Sequence, residues 1–240
     1  MRHTRLLPFV SILLFACEGA PDAPVLTDLP TPAERPSDDF GLDRFRTECA
    51  NGNQESCYWI GAAFEHGHGG SEIDIDKARQ RYEQACAADV GPACNDLGAL
   101  YGLGKGVARD DVEAARLYEK SCDLRDAVAC QNLAAFYVEG TGVLQDPDKA
   151  RSLYELGCEL GEPASCRDLG HLYVGSDPPD YQRARVIWQQ GCDEGFGQSC
   201  ADLGFIYIQG LGVPKDEPKG VALMSKGCDL GYDHVCQFVQ

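Results

Sequence analysis

The chain has 240 residues, of which 44% are hydrophobic, so it has enough apolar material for a sizeable core. Its 21 Lys and Arg against 38 Asp and Glu give a formal charge of −17 at pH 7. A surface of that sign repels nucleic-acid phosphates and anionic lipid headgroups. We therefore exclude nucleic acid as a partner and interpret the charge as an aid to solubility.

The N-terminus has the pattern of a secretory signal peptide, which we predict to span residues 1–16. Arg2 and Arg5 form a basic start, and LLPFVSILLFA at residues 6–16 forms an apolar run of 11 residues. Such a run is too short to span a bilayer and is typical of a signal peptide. It ends in LFAC, residues 14–17, which resembles the bacterial lipobox, where a small residue precedes a cysteine that becomes lipidated.

Cys17 is accordingly predicted to carry a lipid, and ordinary cleavage nearby is the alternative. Lipidation accounts for the odd member of the 13 cysteines, since the other 12 form pairs. Glu18 stands where, in well-studied envelopes, an Asp would retain a lipoprotein at the inner membrane, so this resemblance favours the outer membrane. The expected location is therefore outside the inner membrane, in the periplasm or at the outer membrane, with a lipid anchor.

A polar segment follows the predicted anchor. Residues 18–39 are rich in Pro, Asp and Glu and poor in large apolar side chains. A segment of this composition cannot bury enough surface to fold, and its prolines make it extended and semi-stiff. We expect residues 17–39 to form a lipidated, disordered tether, and residues 40–240 to form the folded domain.

Six pairs of cysteines share one spacing, with seven residues between the members of each pair. The pairs are Cys49 and Cys57, Cys86 and Cys94, Cys122 and Cys130, Cys158 and Cys166, Cys192 and Cys200, and Cys228 and Cys236. So many evenly paired cysteines favour disulfides in an oxidising compartment. Buried thiols or zinc ligands are the alternative, but zinc sites favour C-x2-4-C spacing and no C-x-x-C occurs here.

The cysteine pairs belong to a repeat of 34 to 37 residues, which is typical of a solenoid. Each unit contains two helical patterns. In the first, as at Ala78, Tyr82 and Cys86, residues four apart make one stripe along a helix. In the second, as in CNDLGALY at residues 94–101, Cys, Leu, Gly and Tyr share one helical face. The mid-helix glycine costs about 1 kcal/mol, so its recurrence predicts a tight helix crossing.

Glycine-rich connectors such as GLGKGVARD join successive units, and the Asp at their end is predicted to cap the next helix. They lack the preceding strand and the G-K-[ST] of a phosphate loop, so no phosphate site is predicted. Within each unit, the first cysteine closes one helix and the second opens the next. Each disulfide should therefore staple one αα-hairpin, and the chain-entropy model gives about 2–3 kcal/mol per bridge.

The recurring motifs L-G-x-x-Y, G-x-G-V-x-x-D, K-A-x-x-x-Y and C-x7-C cover residues 40–240 and resemble the Sel-1-like repeat family, a relative of the tetratricopeptide repeats. The cysteine pairs resemble its disulfide-rich branch, the Hcp-like cysteine-rich proteins. The resemblance implies an all-α fold, an α/α solenoid with one disulfide per helical hairpin. Two connectors depart from the pattern: EHGHGGSEIDID, and VGSDPPD, which is two residues short.

A solenoid usually binds peptides or protein segments in a groove, and we expect a partner of this kind. In related repeats the second-pattern helices line the concave face, and positions one, two and five after the second cysteine should face away from the core. The candidate groove comprises Tyr58, Trp59, Asn95, Asp96, Asn132, Arg167, Asp168, His171, Asp202 and Phe205. Its Asn and Asp are predicted to hydrogen-bond a bound backbone, with Trp59 and Phe205 as aromatic anchors. The alternative is that they only cap or solvate helix starts.

Metal binding and β-lactam chemistry are the two other functions to consider. His66 and His68 flank a glycine in a connector with no third ligand adjacent, so no metal is predicted, and no cofactor is expected. Some members of the cysteine-rich branch have been described as penicillin-binding or β-lactam-hydrolysing, so a weak β-lactamase or penicillin-binding protein is the alternative function. The chain has neither S-x-x-K nor K-T-G, and no catalytic residue is predicted. We favour a membrane-anchored lipoprotein of the cell envelope that acts as a binding scaffold.

Overall fold

The computed structural model describes residues 40–238, and within that stretch every regular element is helical. Eleven α-helices follow one another, and a 3₁₀-helix spans Asp233–Phe238. The α-helices are α1 (Phe40–Ala50), α2 (Gln54–His66), α3 (Ile75–Ala87), α4 (Gly91–Leu103), α5 (Asp111–Asp123), α6 (Ala127–Glu139), α7 (Pro147–Glu159), α8 (Pro163–Val174), α9 (Tyr181–Asp193), α10 (Gly197–Gln209) and α11 (Glu217–Asp229). The all-α prediction is confirmed, whereas the predicted signal peptide, Cys17 and tether lie outside the described residues.

Six disulfides close the six hairpins. Each joins the last turn of an odd-numbered helix to the start of the next element, and the bonded residues are eight apart in sequence. The Cα–Cα distances run from 4.5 to 5.1 Å. The predicted pairing is therefore confirmed, and the thiol and zinc alternatives are wrong. Six disulfides in one folded domain indicate an oxidising, extracytoplasmic compartment.

The odd-numbered helices from α3 onward begin at an aspartate that caps them, as the connectors predict. The Asp110 carboxylate accepts hydrogen bonds from the backbone N–H groups of Val112 and Glu113, at 3.1 and 3.0 Å. The same role falls to Asp74, Asp146, Asp180 and Asp216. A side-chain oxygen in this position satisfies backbone donors that lack a partner inside the helix.

Tight helix crossings account for the mid-helix glycines. A Cβ atom added to Gly170 in α8 would lie 2.2 Å from the indole Nε1 of Trp188 in α9. The equivalent atom on Gly98 in α4 would lie 3.0 Å from the ring of Tyr118 in α5. The rings of Trp188 and Tyr118 are buried. Glycine is thus needed at these two positions, where the large residue of one helix crosses the backbone of its neighbour.

Candidate functional site

The even-numbered helices present side chains that meet one another directly along the molecule. Asn132 of α6 donates from Nδ2 to Oδ1 of Asn95 in α4, at 2.9 Å. Gln131 of α6 donates to Asp168 of α8 at 3.4 Å, and Arg167 of α8 donates to Gln198 of α10 at 3.1 Å. These side chains lie on one surface, which α2, α4, α6, α8 and α10 form together. We call this surface the even-helix face.

Three of the residues predicted for the groove are buried, which corrects the expectation that all of them face away from the core. Tyr58, Asn95 and Asn132 are only 7%, 5% and 2% exposed. Consecutive even helices touch, as the Asn132–Asn95 hydrogen bond shows, so each covers part of its neighbour's outward side. These three residues hold the face together and cannot serve as its contact surface.

The other seven groove residues keep some exposure. Trp59, Asp96, Arg167, Asp168, Asp202 and Phe205 are half-buried, and His171 is exposed. The three aspartates of this set do not cap helices. Each is the sixth residue of its helix, and its hydrogen bonds and ion pairs are with other side chains. Asp96, Asp168 and Asp202 therefore do not cap their helices, and their part in binding stays a prediction.

At one end of the face, Asp96 lies in an acidic, partly desolvated position. Burial raises the pKa of its carboxyl to about 7, the negative charge of Glu65 adds to the rise, and hydrogen bonds from Asn95 and Tyr58 oppose it. Asn95 donates to Asp96 from Nδ2 at 3.1 Å. Among the described residues, no Lys, Arg or His forms an ion pair with Asp96. When Asp96 is ionised, its charge is therefore not balanced by a cation of residues 40–238.

Glu65, which the sequence prediction missed, is the buried acid beside this position. It accepts a hydrogen bond from the Tyr82 hydroxyl at 2.8 Å and pairs with Lys105 Nζ at 2.9 Å. Other second-pattern helices have Gly, Val or Ile at the matching position, eight residues after the second cysteine. An acid at a repeat position that is otherwise apolar is the sequence signal by which Glu65 could have been found.

Aromatic rings lie next to Asp96. Trp59 stacks on Phe45, with ring centroids 6.3 Å apart and planes 28° apart. It also contacts Tyr58, with ring centroids 4.9 Å apart, and the Tyr58 hydroxyl interacts with the Asp96 carboxyl and lowers its pKa. Tyr58 thus connects the half-buried indole to the carboxylate. We call Trp59, Tyr58 and Asp96 the acidic corner.

At the other end of the face the charges are paired internally. Arg167 contacts the Asp168 carboxylate at 2.7 Å, and His171 Nε2 lies 3.3 Å from an Asp202 oxygen. Burial by itself would lower the pKa of Arg167, but the charge and hydrogen bond of Asp168, together with the charge of Asp202, raise it overall. We call Arg167, Asp168, His171 and Asp202 the paired corner, because each has a partner of opposite or potentially opposite charge.

The two histidines considered as metal ligands lie close to each other at the end of α2. The ring centroids of His66 and His68 are 5.8 Å apart. Within residues 40–238, no three His, Cys, Asp or Glu side chains are grouped so that they could hold a metal ion. In the same stretch no helix has the length and apolar character needed to cross a bilayer.

These features define a class, the disulfide-stapled α/α repeat protein with a polar face built from alternate helices. The model of the Sel1 repeat matches residues 54–90, 91–126, 127–162, 163–196 and 197–232, and the chain therefore belongs to the Sel1 repeat family. Sel1 repeats generally mediate protein–protein interactions, so the family supports a scaffold. A search of curated proteins finds no significant match, and none of the comparisons supports the β-lactam alternative.

Similar solved structures come from several bacteria. A protective antigen of uropathogenic Escherichia coli with an SLR fold is 25% identical over 82% of this chain, with a TM-score of 0.71. This chain covers only 43% of that antigen. A Sel1 repeat protein from Oxalobacter formigenes is 22% identical, with a TM-score of 0.73, over 83% of this chain and 84% of that one. Cysteine-rich protein B of Helicobacter pylori is 28% identical over 52% of this chain and 90% of its own, with a TM-score of 0.44.

Proposed function

We propose that this protein is a lipid-anchored scaffold of the bacterial cell envelope that holds a peptide or an extended protein segment against its even-helix face. The observation that carries the proposal is the continuity of this face. Hydrogen bonds between side chains run from α4 through α6 and α8 to α10, so exposed groups on separate helices keep fixed positions relative to one another. A bound segment would meet a prearranged row of polar groups with an aromatic side chain at each end.

Site-specific photo-crosslinking in cells tests the binding face. A photoreactive amino acid at His171 or Phe205 should give a crosslinked product with a partner protein. The matched control is Val112 at the start of α5, which is 67% exposed and lies on an odd-numbered helix. The same adducts from Val112 and none from the even-helix face would contradict the proposal.

The proposed anchor rests on the N-terminal sequence, with LFAC at residues 14–17. A lipid on Cys17 should keep the protein with the membrane fraction, and the N-terminal peptide should carry the mass of acyl chains. The Cys17→Ser variant should instead appear in the soluble envelope fraction. Equal partitioning of the wild-type protein and the Cys17→Ser variant would rule out the lipid. It would not affect the proposal for the binding face.

The β-lactam alternative is tested with a chromogenic β-lactam and the purified, metal-replete protein. The sequence lacks S-x-x-K and K-T-G, so we expect no turnover above that of the denatured protein. Turnover clearly above that control would show a catalytic function that the scaffold proposal does not include.

A further inference from the structure

We propose, resting on the proposed function, that the acidic corner is a subsite for a lysine or arginine side chain of the bound segment. The cation would lie against the Trp59 indole and pair with the Asp96 carboxylate, above the buried Tyr58. This assigns one end of the even-helix face a specific chemistry, while the paired corner at the other end has its own cation in Arg167.

The charge balance around Asp96 calls for a cation from outside the domain. The groups that face it are Glu65 and Tyr58 from α2, Tyr82 from α3, Tyr118 from α5, and Asp126 at the start of α6. All of these are acidic or neutral. Lys105, the basic group that contacts Glu65, is already paired with it at 2.9 Å. A phosphate or carboxylate ligand would meet only repulsion here, whereas an ammonium or guanidinium group would neutralise the surplus charge.

The aromatic ring supplies the second half of such a subsite. The Trp59 indole contacts Phe45 and Tyr58, which restrict its movement, and it is only half-buried, so part of its surface stays exposed. Tryptophan attracts cations over its ring more strongly than other aromatic side chains, and a charge-assisted hydrogen bond to a carboxylate adds direction. Because Tyr58 contacts the indole and interacts with the Asp96 carboxyl, the ring and the carboxylate both lie close to this one residue.

Elsewhere in the domain, a lysine from a neighbouring helix lies over an aromatic ring. Lys219 Nζ lies 3.9 Å from the ring centroid of Tyr207, and Lys149 Nζ lies 4.4 Å from that of Tyr137. In both cases an odd-numbered helix supplies the cation, and the ring stands near the end of the preceding even-numbered helix. Among the described residues no such cation lies over Trp59. Phe64, which is the ring at the matching position of α2, has Lys77 Nζ 5.3 Å from its centroid, whereas the exposed part of Trp59 can still receive a cation from a partner.

A peptide-display selection against the full-length, oxidised protein tests the subsite. Recovered peptides should share a Lys or Arg at one position, and selection against Asp96→Asn or Trp59→Ala should lose that preference. Asp202→Asn removes a carboxylate from the paired corner of the same face and should keep it. Binding peptides that show no basic preference would overturn the cation subsite and leave the scaffold in place. Failure to recover any binding peptide would overturn the scaffold proposal itself.

A double-mutant cycle on one recovered peptide then separates direct contact from loss of structure. Replacing its selected lysine by acetyl-lysine should weaken binding to the wild-type protein about tenfold, the size expected when a desolvated charge pair is lost. The acetylated peptide should bind wild type and Asp96→Asn equally. If Asp96→Asn weakens the acetylated peptide as much as the lysine peptide, the cation does not contact Asp96 and the subsite is wrong. The melting temperature of each variant confirms that it is folded.

Discussion

Asp96 links the binding face to the stability of the domain. Its pKa in the folded state is about 7, against an ordinary value of 3.8, so the folded protein holds this proton more tightly than the unfolded chain does. The resulting stabilisation is fully present below about pH 4 and is lost as the pH rises through about 7. A cation bound at the acidic corner would reverse this loss, because it favours the ionised carboxylate.

The Asp96→Asn variant should therefore melt at a higher temperature than the wild-type protein at pH 8. At pH 5 the gain should be smaller, because the folded Asp96 carboxyl is still mostly protonated and only the unfolded one has ionised. Thermal unfolding followed by circular dichroism at both pH values measures the difference. Asp202→Asn, which removes the same charge from the paired corner, is the control. An equal gain at pH 5 and pH 8 would show that ionisation of Asp96 is not the cause.

A second prediction at this scale concerns the tight crossing at Gly170. Gly170→Ala places a methyl group against the buried Trp188 indole and should destabilise the domain by about 1–3 kcal/mol, as overpacking does. Gly102→Ala is the matched control, because its Cβ would make an ordinary contact, 3.5 Å from Ala114. There the better helix propensity of alanine should leave stability unchanged or raise it by up to about 1 kcal/mol. Urea unfolding of both variants measures the contrast, and a stable Gly170→Ala protein would contradict the steric explanation.

At the scale of elements, the features predicted correctly from the sequence are those set within one hairpin. The cysteine spacing, the capping aspartates and the small residue at each crossing (Gly, or Ala134 in α6) depend on residues close together in the chain, so each repeat shows them. The burial of Asn95 and Asn132 was not predictable in this way. It depends on contact between α4 and α6, which lie in separate repeats, and a helical wheel drawn for one helix does not contain its lateral neighbour.

Removing one disulfide should lower the free energy of unfolding by the amount expected for closing a loop of eight residues. The double variant Cys122→Ala/Cys130→Ala is expected to lose about 2–3 kcal/mol of unfolding free energy, because its unfolded chain regains the freedom that the bond removes. Cys17→Ser, which changes a cysteine outside the six pairs, should leave the unfolding free energy unchanged. Chemical denaturation measures both. Loss of all helical signal in the double variant would mean that the hairpins depend on one another more than this estimate allows.

At the scale of the whole molecule, stability is shared between hairpins that touch mainly their neighbours. The number of buried residues differs from helix to helix. Helix α5 buries six residues, including Leu117 and Tyr118, whereas the residues that α11 buries are Gly220 and Gly227. Local opening should therefore be easiest around α11, where little apolar surface holds the helix in place.

Amide hydrogen exchange should show this gradient directly. Peptides from α5 and α6 are expected to exchange slowest, and peptides from α11 and the following 3₁₀-helix fastest. Exchange measured by mass spectrometry on the oxidised protein gives the protection of each hairpin. Uniform protection along residues 40–238 would mean that the domain opens as one cooperative unit instead.

The short span of every disulfide bears on how the protein acquires its bonds. Each cysteine finds its partner eight residues further on, so a chain that emerges N-terminus first can complete one bond before the next pair arrives. Mispairing between distant thiols then has little opportunity to occur. An oxidant alone should suffice for correct maturation during synthesis, and the need for a disulfide isomerase should arise only when the full-length reduced chain is refolded at once.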